Sequence, residues 1–109
     1  MSRIQQMIQE LRTRSDLGIA NETHSWRIVI TKGRDLCCEV IVPHEILEWH
    51  ATIRNRHDEK EIWSDWMDYS GYENRPLETL EVEMANDILA FVNRVSIKEP
   101  LLPVKIHED

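Results

Sequence analysis

The sequence predicts an α+β fold, in which an antiparallel four-stranded meander carries an N-terminal and a C-terminal helix on one face, in the order α-β-β-β-β-α. Apolar residues recur every three or four positions near both ends of the chain and every second position between them. The length of 109 residues suits one compact domain. We therefore interpret residues 1–109 as a single domain.

Both helices are indicated by a start signal followed by an apolar stripe. Ser2 and Gln5 have the spacing of a capping box, and Pro76 is a favoured first residue of a helix. The first helix is predicted over about residues 3–14, with the apolar positions Ile4, Met7, Ile8 and Leu11. The second begins at Pro76, with the apolar positions Leu77, Leu80, Met84, Ile88, Phe91, Val92 and Val95. The second pattern is the clearest in the chain.

Alternation with a period of two predicts a β-hairpin after the first helix. The strand over residues 25–31 is dominated by β-branched residues, and the strand over 36–42 is a nearly continuous apolar run that Pro43 ends. A turn that contains Gly33 lies between them. Gly18 and the polar residues 21–24 indicate a loop between the first helix and this hairpin.

The segment from Pro43 to Tyr69 allows two interpretations. Pro43 could open one long helix. Alternation around Trp49 and the polar run after Arg54 instead favour two strands. We prefer the second interpretation, which divides the segment into a helical turn at 43–47, a strand at 48–54, a loop at 55–60 and a strand at 61–69.

Composition and cysteine placement narrow the class of protein. The chain is 41% hydrophobic and 30% charged, which is typical of a soluble globular domain. It lacks a long uncharged apolar stretch, and its first residues lack the apolar region of a signal peptide, so we expect a cytoplasmic location. Cys37 and Cys38 are adjacent and would point to opposite faces of a strand, which argues against a mutual disulfide. The sequence has no Cys-x-x-Cys pair and no second cysteine cluster, which argues against a thiolate zinc site.

The negative charge is concentrated in one window. The net charge is −7, and residues 58–87 hold ten acidic residues against Lys60 and Arg75, a net −8. This distribution argues against general affinity for nucleic acid or anionic lipid. It is compatible with a solvated, solubilising face or with a recognition surface for a basic partner.

No catalytic signature stands out. His50 and His57 lie beside Glu48 and Asp58 but lack the spacing of a metal-binding motif, and the few glycines do not form a phosphate-binding loop. We therefore predict a protein that is not an enzyme, with no catalytic residues, no metal site and no cofactor.

The most unusual segment is the acidic, aromatic stretch of residues 61–69. On a strand, its alternate residues would form two faces, Trp63, Asp65, Met67 and Tyr69 on one and Ile62, Ser64, Trp66 and Asp68 on the other. One interpretation packs one tryptophan in the core and leaves the acids in solvent. The other makes the segment a binding face, because exposed aromatic rings and carboxylates suit a basic partner. The candidate contact residues are Glu61, Trp63, Asp65, Asp68, Tyr69, Tyr72 and Glu73.

Several short patterns within residues 25–72 are similar to those of small acidic α+β immunity proteins of bacterial polymorphic and contact-dependent toxin systems. They are Trp26-x-Ile28-x-Ile30, Val40-Ile41-Val42-Pro43, Glu48-Trp49 and Asp65-Trp66-x-Asp68-Tyr69. The resemblance implies a non-catalytic, cytoplasmic protein that blocks a cognate toxin by covering its active site or a nearby exosite. It also implies a basic toxin, often a nuclease, as the partner of the acidic segment.

A second class of function depends on the end of the chain. Pro100 and Pro103 disfavour a helix, so residues 97–109 are predicted to form an extended tail, either laid on the domain or exposed as an edge strand. An exposed tail would favour a homodimeric adaptor module or a secretion chaperone.

Overall fold

The centre of the molecule is one antiparallel sheet of five strands in the order of the sequence. The architecture comes from a computed structural model, which describes residues 2–69 and 74–97. Two helices flank the sheet in the chain, so the order is α-β-β-β-β-β-α. The elements are α1 (Arg3–Arg12), β1 (Leu17–Asn21), β2 (Ser25–Lys32), β3 (Leu36–Pro43), β4 (Glu48–Asn55), β5 (Glu61–Asp68) and α2 (Leu77–Ile97).

The predicted α+β class and meander are confirmed, but the sheet has one more strand than the four predicted. β1 lies where a loop was expected and pairs with β2, from Leu17 opposite Ile30 to Asn21 opposite Trp26. The strand is five residues long, and its two half-buried positions, Leu17 and Ile19, flank Gly18, which has no side chain to contribute to a strand pattern. A sequence pattern this short carries little strand signal, because pairing with the neighbouring strand provides most of its stability.

The predicted helical turn at 43–47 is also wrong. Pro43 is the last residue of β3, and residues 44–47 form bends without helical structure. The His44 amide donates to the His24 carbonyl at 3.0 Å, which ties this connection to the end of the sheet. The tail prediction at 97–109 overlaps α2 by one residue, since Ile97 ends the helix; the remainder lies outside the described residues.

One face of the sheet packs against both helices, and the core lies between these two layers. Phe91 of α2 contacts Trp49 with ring centroids 5.4 Å apart, and it stacks on Trp63 at 6.3 Å. The largest fully buried side chains come from both helices and from β2 to β4: Trp49, Phe91, Met7, Ile8, Leu11, Ile28, Ile30, Ile53, Met84, Ile88, Val40 and Val42. This two-layer arrangement leaves the opposite face of the sheet, here called the outer face, without a helix among the described residues.

The helices lie side by side and run in the same direction. The Ser2 hydroxyl accepts from the Gln5 amide at 3.1 Å in the predicted capping box. Near this end of α1 the Ile4 amide donates to Glu81 at 3.2 Å, and just beyond its other end Arg14 donates to Asn93 at 2.6 Å. These contacts fix α1 along the length of α2.

The buried thiol of Cys38 gives the fold a pH dependence at alkaline pH. Burial raises the pKa of Cys38 to about 12, from an ordinary value of 9.0. We expect the free energy of unfolding to fall as the pH rises above 9, because the unfolded thiol ionises while the folded one stays protonated. This contribution is complete below pH 9, and its loss continues towards pH 12 with a slope of up to about 1.4 kcal/mol per pH unit.

Urea denaturation at several pH values between about 8 and 10 measures this slope. Cys38→Ala should flatten it, whereas Cys37→Ala, which alters the neighbouring half-buried thiol, should retain most of it. Equal slopes in the wild type and Cys38→Ala would contradict the prediction.

Candidate functional site

Strand β5 divides the predicted contact residues between the two faces of the sheet. Trp63 is half-buried and stacks on Phe91 of α2. Tyr69, directly after β5, is 2% exposed. Both rings pack in or against the core between the sheet and the helices, so neither lies on the exposed face of the sheet. Tyr72 and Glu73 lie outside the described residues.

Tyr69 links the end of β5 to the helical layer. Its hydroxyl accepts from Trp49 Nε1 at 3.2 Å and donates to Asp87 Oδ2 at 2.6 Å. Burial, followed by the hydrogen bond to Asp87, raises the pKa of Tyr69 well above its ordinary value of 10.0. The hydroxyl therefore remains a donor at neutral pH, and its role here is to hold β5 against α2.

Trp66 is the aromatic residue that β5 presents to solvent. Its side chain is 57% exposed on the outer face, where it lies opposite His50 of β4. The candidate set omitted this residue. The signal was nonetheless in the sequence, because Trp66 is an odd number of residues from both Trp63 and Tyr69 and must face away from them on a regular strand.

The three carboxylates of β5 lie along the strand that carries Trp66. Glu61 and Asp68 are exposed, and Asp65 is half-buried. Asp65 turns its carboxylate back towards the main chain, where Oδ1 accepts from the Trp66 amide at 2.9 Å. Asp68 shares the outer face with Trp66, Glu61 lies towards the other end of the strand, and Asp65 starts from the inner side. We call these four residues the β5 cluster.

Strand β4 extends the outer face beside the β5 cluster. Glu48 pairs with Asp68, and Arg54 pairs with Glu61 across a register shift, a bulge between Ile53 and Arg54. A shallow hollow of about 430 Å³ lies between the two strands and reaches Trp66. The hollow suits a side chain of a partner better than an enclosed small molecule, because it is open along the sheet.

In the middle of the outer face, positive and negative side chains pair with one another. Arg27 pairs with Glu22 at 3.2 Å and with Glu39, and Arg54 pairs with Glu39 at 3.1 Å. The hydrogen bond to Glu22 is the main cause that raises the pKa of Arg27. Two arginines and two glutamates thus offset one another, so the net negative charge lies towards β5.

Most of the acidic residues in the window 58–87 belong to β5 or to α2, with Asp58 and Glu59 in the connection that precedes β5. Glu78, Glu81, Glu83 and Asp87 belong to the helix and do not share the outer face. Asp87 nevertheless lies at the end of β5, where it accepts from the Tyr69 hydroxyl at 2.6 Å, and the charges of Asp87 and Glu83 both raise the pKa of Tyr69. The described carboxylates therefore favour the β5 side of the molecule without forming one flat patch.

A second hollow, of about 420 Å³, lies between the start of α1, the 44–47 connection and the start of α2. Ile46 and Leu77 line it and are 53% and 68% exposed. No predicted contact residue borders this hollow among the residues that the structure describes.

Within residues 2–69 and 74–97, no three His, Cys, Asp or Glu side chains are grouped as a metal ion would require. Neither helix found there has the length and apolar character needed to cross a membrane. Compared with known proteins, the chain matches no family model, no curated protein and no solved structure.

Proposed function

We propose that this chain is a non-catalytic, cytoplasmic binding protein that docks a basic protein partner on its outer face around the β5 cluster. The observation that carries the proposal is the exposure of Trp66, 57%, on the same face as Asp68 and at a hollow that Glu61 also lines. The other two tryptophans of the β4–β5 pair face the core, so the fold does not need Trp66 for packing between its layers.

The composition of the β5 cluster suits protein recognition. Tryptophan provides a large rigid contact area and is frequent among the residues that dominate binding energy. Carboxylates around it can accept charge-assisted hydrogen bonds from lysine or arginine, and the ring face attracts the same cations. A one-signed charge distribution also speeds association with a basic partner and disfavours acidic ones.

The partner that we propose is a basic toxin domain, which the chain would neutralise stoichiometrically. The resemblance of residues 25–72 to immunity proteins supports this assignment, and so does the net −8 of residues 58–87. In this role the chain would cover the toxin's active site or a nearby surface. The mechanism needs only steric and electrostatic complementarity, and no residue of the chain reacts.

Charge reversal tests the proposal. We expect the wild-type chain to form a complex with the toxin domain encoded beside its gene and to restore growth when the two are co-expressed. The double variant Glu61→Lys/Asp68→Lys should bind at least about tenfold more weakly, because two favourable charges become repulsive. Isothermal titration calorimetry at low and high salt measures the loss and its screening.

A matched control changes the same net charge on the helical layer. Glu10→Lys/Glu78→Lys should bind nearly as tightly as the wild type, since both side chains are exposed on α1 and α2. Equal binding by both double variants would contradict the proposed surface. A stable homodimer that fails to protect against the toxin would instead favour an adaptor module or secretion chaperone.

A further inference from the structure

We infer that the edge of β5 away from β4, a free edge among the described residues, takes up an extended lysine- or arginine-bearing segment of the partner as a sixth strand of the sheet. The inference rests on the proposed function and specifies how the partner is held. Among the described residues, β5 pairs with β4 on one side and with no strand on the other. Its eight residues make it longer than β1, which has five and forms the opposite edge.

The direction of the main-chain groups shows which amides border this edge. The Tyr69 amide donates to the Leu47 carbonyl at 3.0 Å, on the β4 side. The register is regular from Asp68 back to Trp63, so alternate amides point alternately towards and away from β4. The amides of Ser64 and Trp66 therefore point away from β4, towards the free edge.

Asp65 occupies the middle of the edge in the free protein. The bond from the Trp66 amide to Asp65 Oδ1, 2.9 Å long, satisfies an edge donor within the chain itself. A neutral or acidic strand would have to displace this carboxylate from the Trp66 amide without offering a positive charge for the carboxylate to bind. A basic strand could bind the carboxylate through lysine or arginine and then pair with the released amide.

The charge of β5 also distinguishes a foreign strand from a second copy of this chain. The strand carries three acidic residues and no basic one. Two copies paired antiparallel with Ser64 opposite Trp66 would place Asp65 directly opposite Asp65 of the other copy. Like charges directly opposite destabilise a strand pair, and charged edges are a common defence against self-association. The free edge therefore favours a basic partner strand.

A partner strand with a basic residue at every second position would place its cations next to the acidic and aromatic side chains of β5. On an added strand, every second side chain lies on the outer face of the sheet. Lysines at these positions would meet Glu61, Trp66 and Asp68, while the residues between them would extend the inner face. The recognised feature is thus an extended segment with a basic residue at every second position.

A synthetic octapeptide of four Lys-Thr repeats provides the test, with a Glu-Thr octapeptide as charge control. A third peptide keeps all four lysines but carries N-methyl groups on the amides of one edge, so that it retains the charge and loses strand pairing. We expect the Lys-Thr peptide to bind at least tenfold more tightly than either control. Hydrogen exchange of the Ser64 amide should slow at least tenfold in its presence, as a new strand bond would require.

The two proposals fail differently in this experiment. If the N-methylated peptide binds as well as the Lys-Thr peptide, edge pairing is overturned while an electrostatic outer surface stands. Unchanged exchange at Ser64, or no binding of the Lys-Thr peptide, also overturns edge pairing. Failure of the proposed function is recognised separately, by the absence of a toxin complex with the intact protein.

Variants at Asp65 test its part in guarding the edge. Asp65→Ala removes both the charge and the acceptor and should show concentration-dependent self-association in sedimentation. Asp65→Asn keeps an acceptor oxygen, and Glu61→Ala removes a charge without exposing an edge amide, so both should stay monomeric. An Asp65→Ala protein that is folded by circular dichroism and remains monomeric would overturn the guarding role.

Discussion

Replacing Trp66 with alanine is expected to weaken binding of the toxin partner by about 30-fold or more, roughly 2 kcal/mol, the scale of a central aromatic contact. The ring is 57% exposed and lies on the face that the helices leave uncovered. Stability should change little, within about 0.5 kcal/mol, because substitutions at exposed positions rarely do more. Calorimetric titration and urea denaturation of the same protein measure the two effects.

Leu77→Ala is the matched control, since it also truncates an exposed apolar side chain but lies on α2. Leu77 is 68% exposed, and its truncation should leave affinity unchanged. If Trp66→Ala bound as tightly as Leu77→Ala, the outer face would not be the docking surface. A large loss of stability in Trp66→Ala would show instead that the ring serves the fold.

Phe91→Ala is expected to lower the free energy of unfolding by about 3–5 kcal/mol, the range observed when a large aromatic residue is removed from a core. Phe91 is 0% exposed and lies between Trp49 and Trp63. Its removal takes away two aromatic contacts and leaves a cavity where α2 meets β4 and β5. Single domains are stable by only about 5–15 kcal/mol, so this loss is a large fraction.

Urea denaturation should show a lower midpoint with an unchanged slope, which marks a loss of stability without a change in the extent of unfolding. Val82→Ala, on the same helix but 43% exposed, should cost less than about 1 kcal/mol. A similar cost for both variants would mean that the aromatic cluster does not carry the packing between α2 and the sheet.

The elements that the sequence predicted well are those whose pattern is long. The apolar stripe of α2 extends over five turns, and each of β2 to β5 is a segment of eight residues, long enough to show a strand pattern. β1 lacked this advantage, because Leu17 and Ile19 alone define its inner face. The 44–47 bends were missed because proline followed by polar residues is compatible with a helix start, whereas the bond from His44 to His24 is a tertiary contact.

The sequence predicted the candidate site as a run of consecutive residues, whereas the structure exposes only the residues on one face of the strand. Composition identified residues 61–69, but a strand divides such a segment by alternation, so Trp63 and Tyr69 turn inward while Trp66 turns outward. The half-buried Asp65 shows a further limit. Alternation along β5 places the Asp65 side chain on the inner side of the sheet. Its carboxylate nevertheless reaches the edge of the strand, where it accepts from the Trp66 amide, and no periodicity predicts such a local hydrogen bond.

The anchoring of β5 at both ends has a consequence for the kinetics of recognition. Beyond its last residue, Tyr69 is bound to Asp87, and before its first, the Asn55 amide donates to the Lys60 carbonyl at 3.0 Å. The strand is therefore preorganised, and β5 loses little conformational entropy when a ligand binds. We expect encounter rates governed by diffusion and electrostatic steering, with the partner's segment supplying most of the ordering that accompanies complex formation.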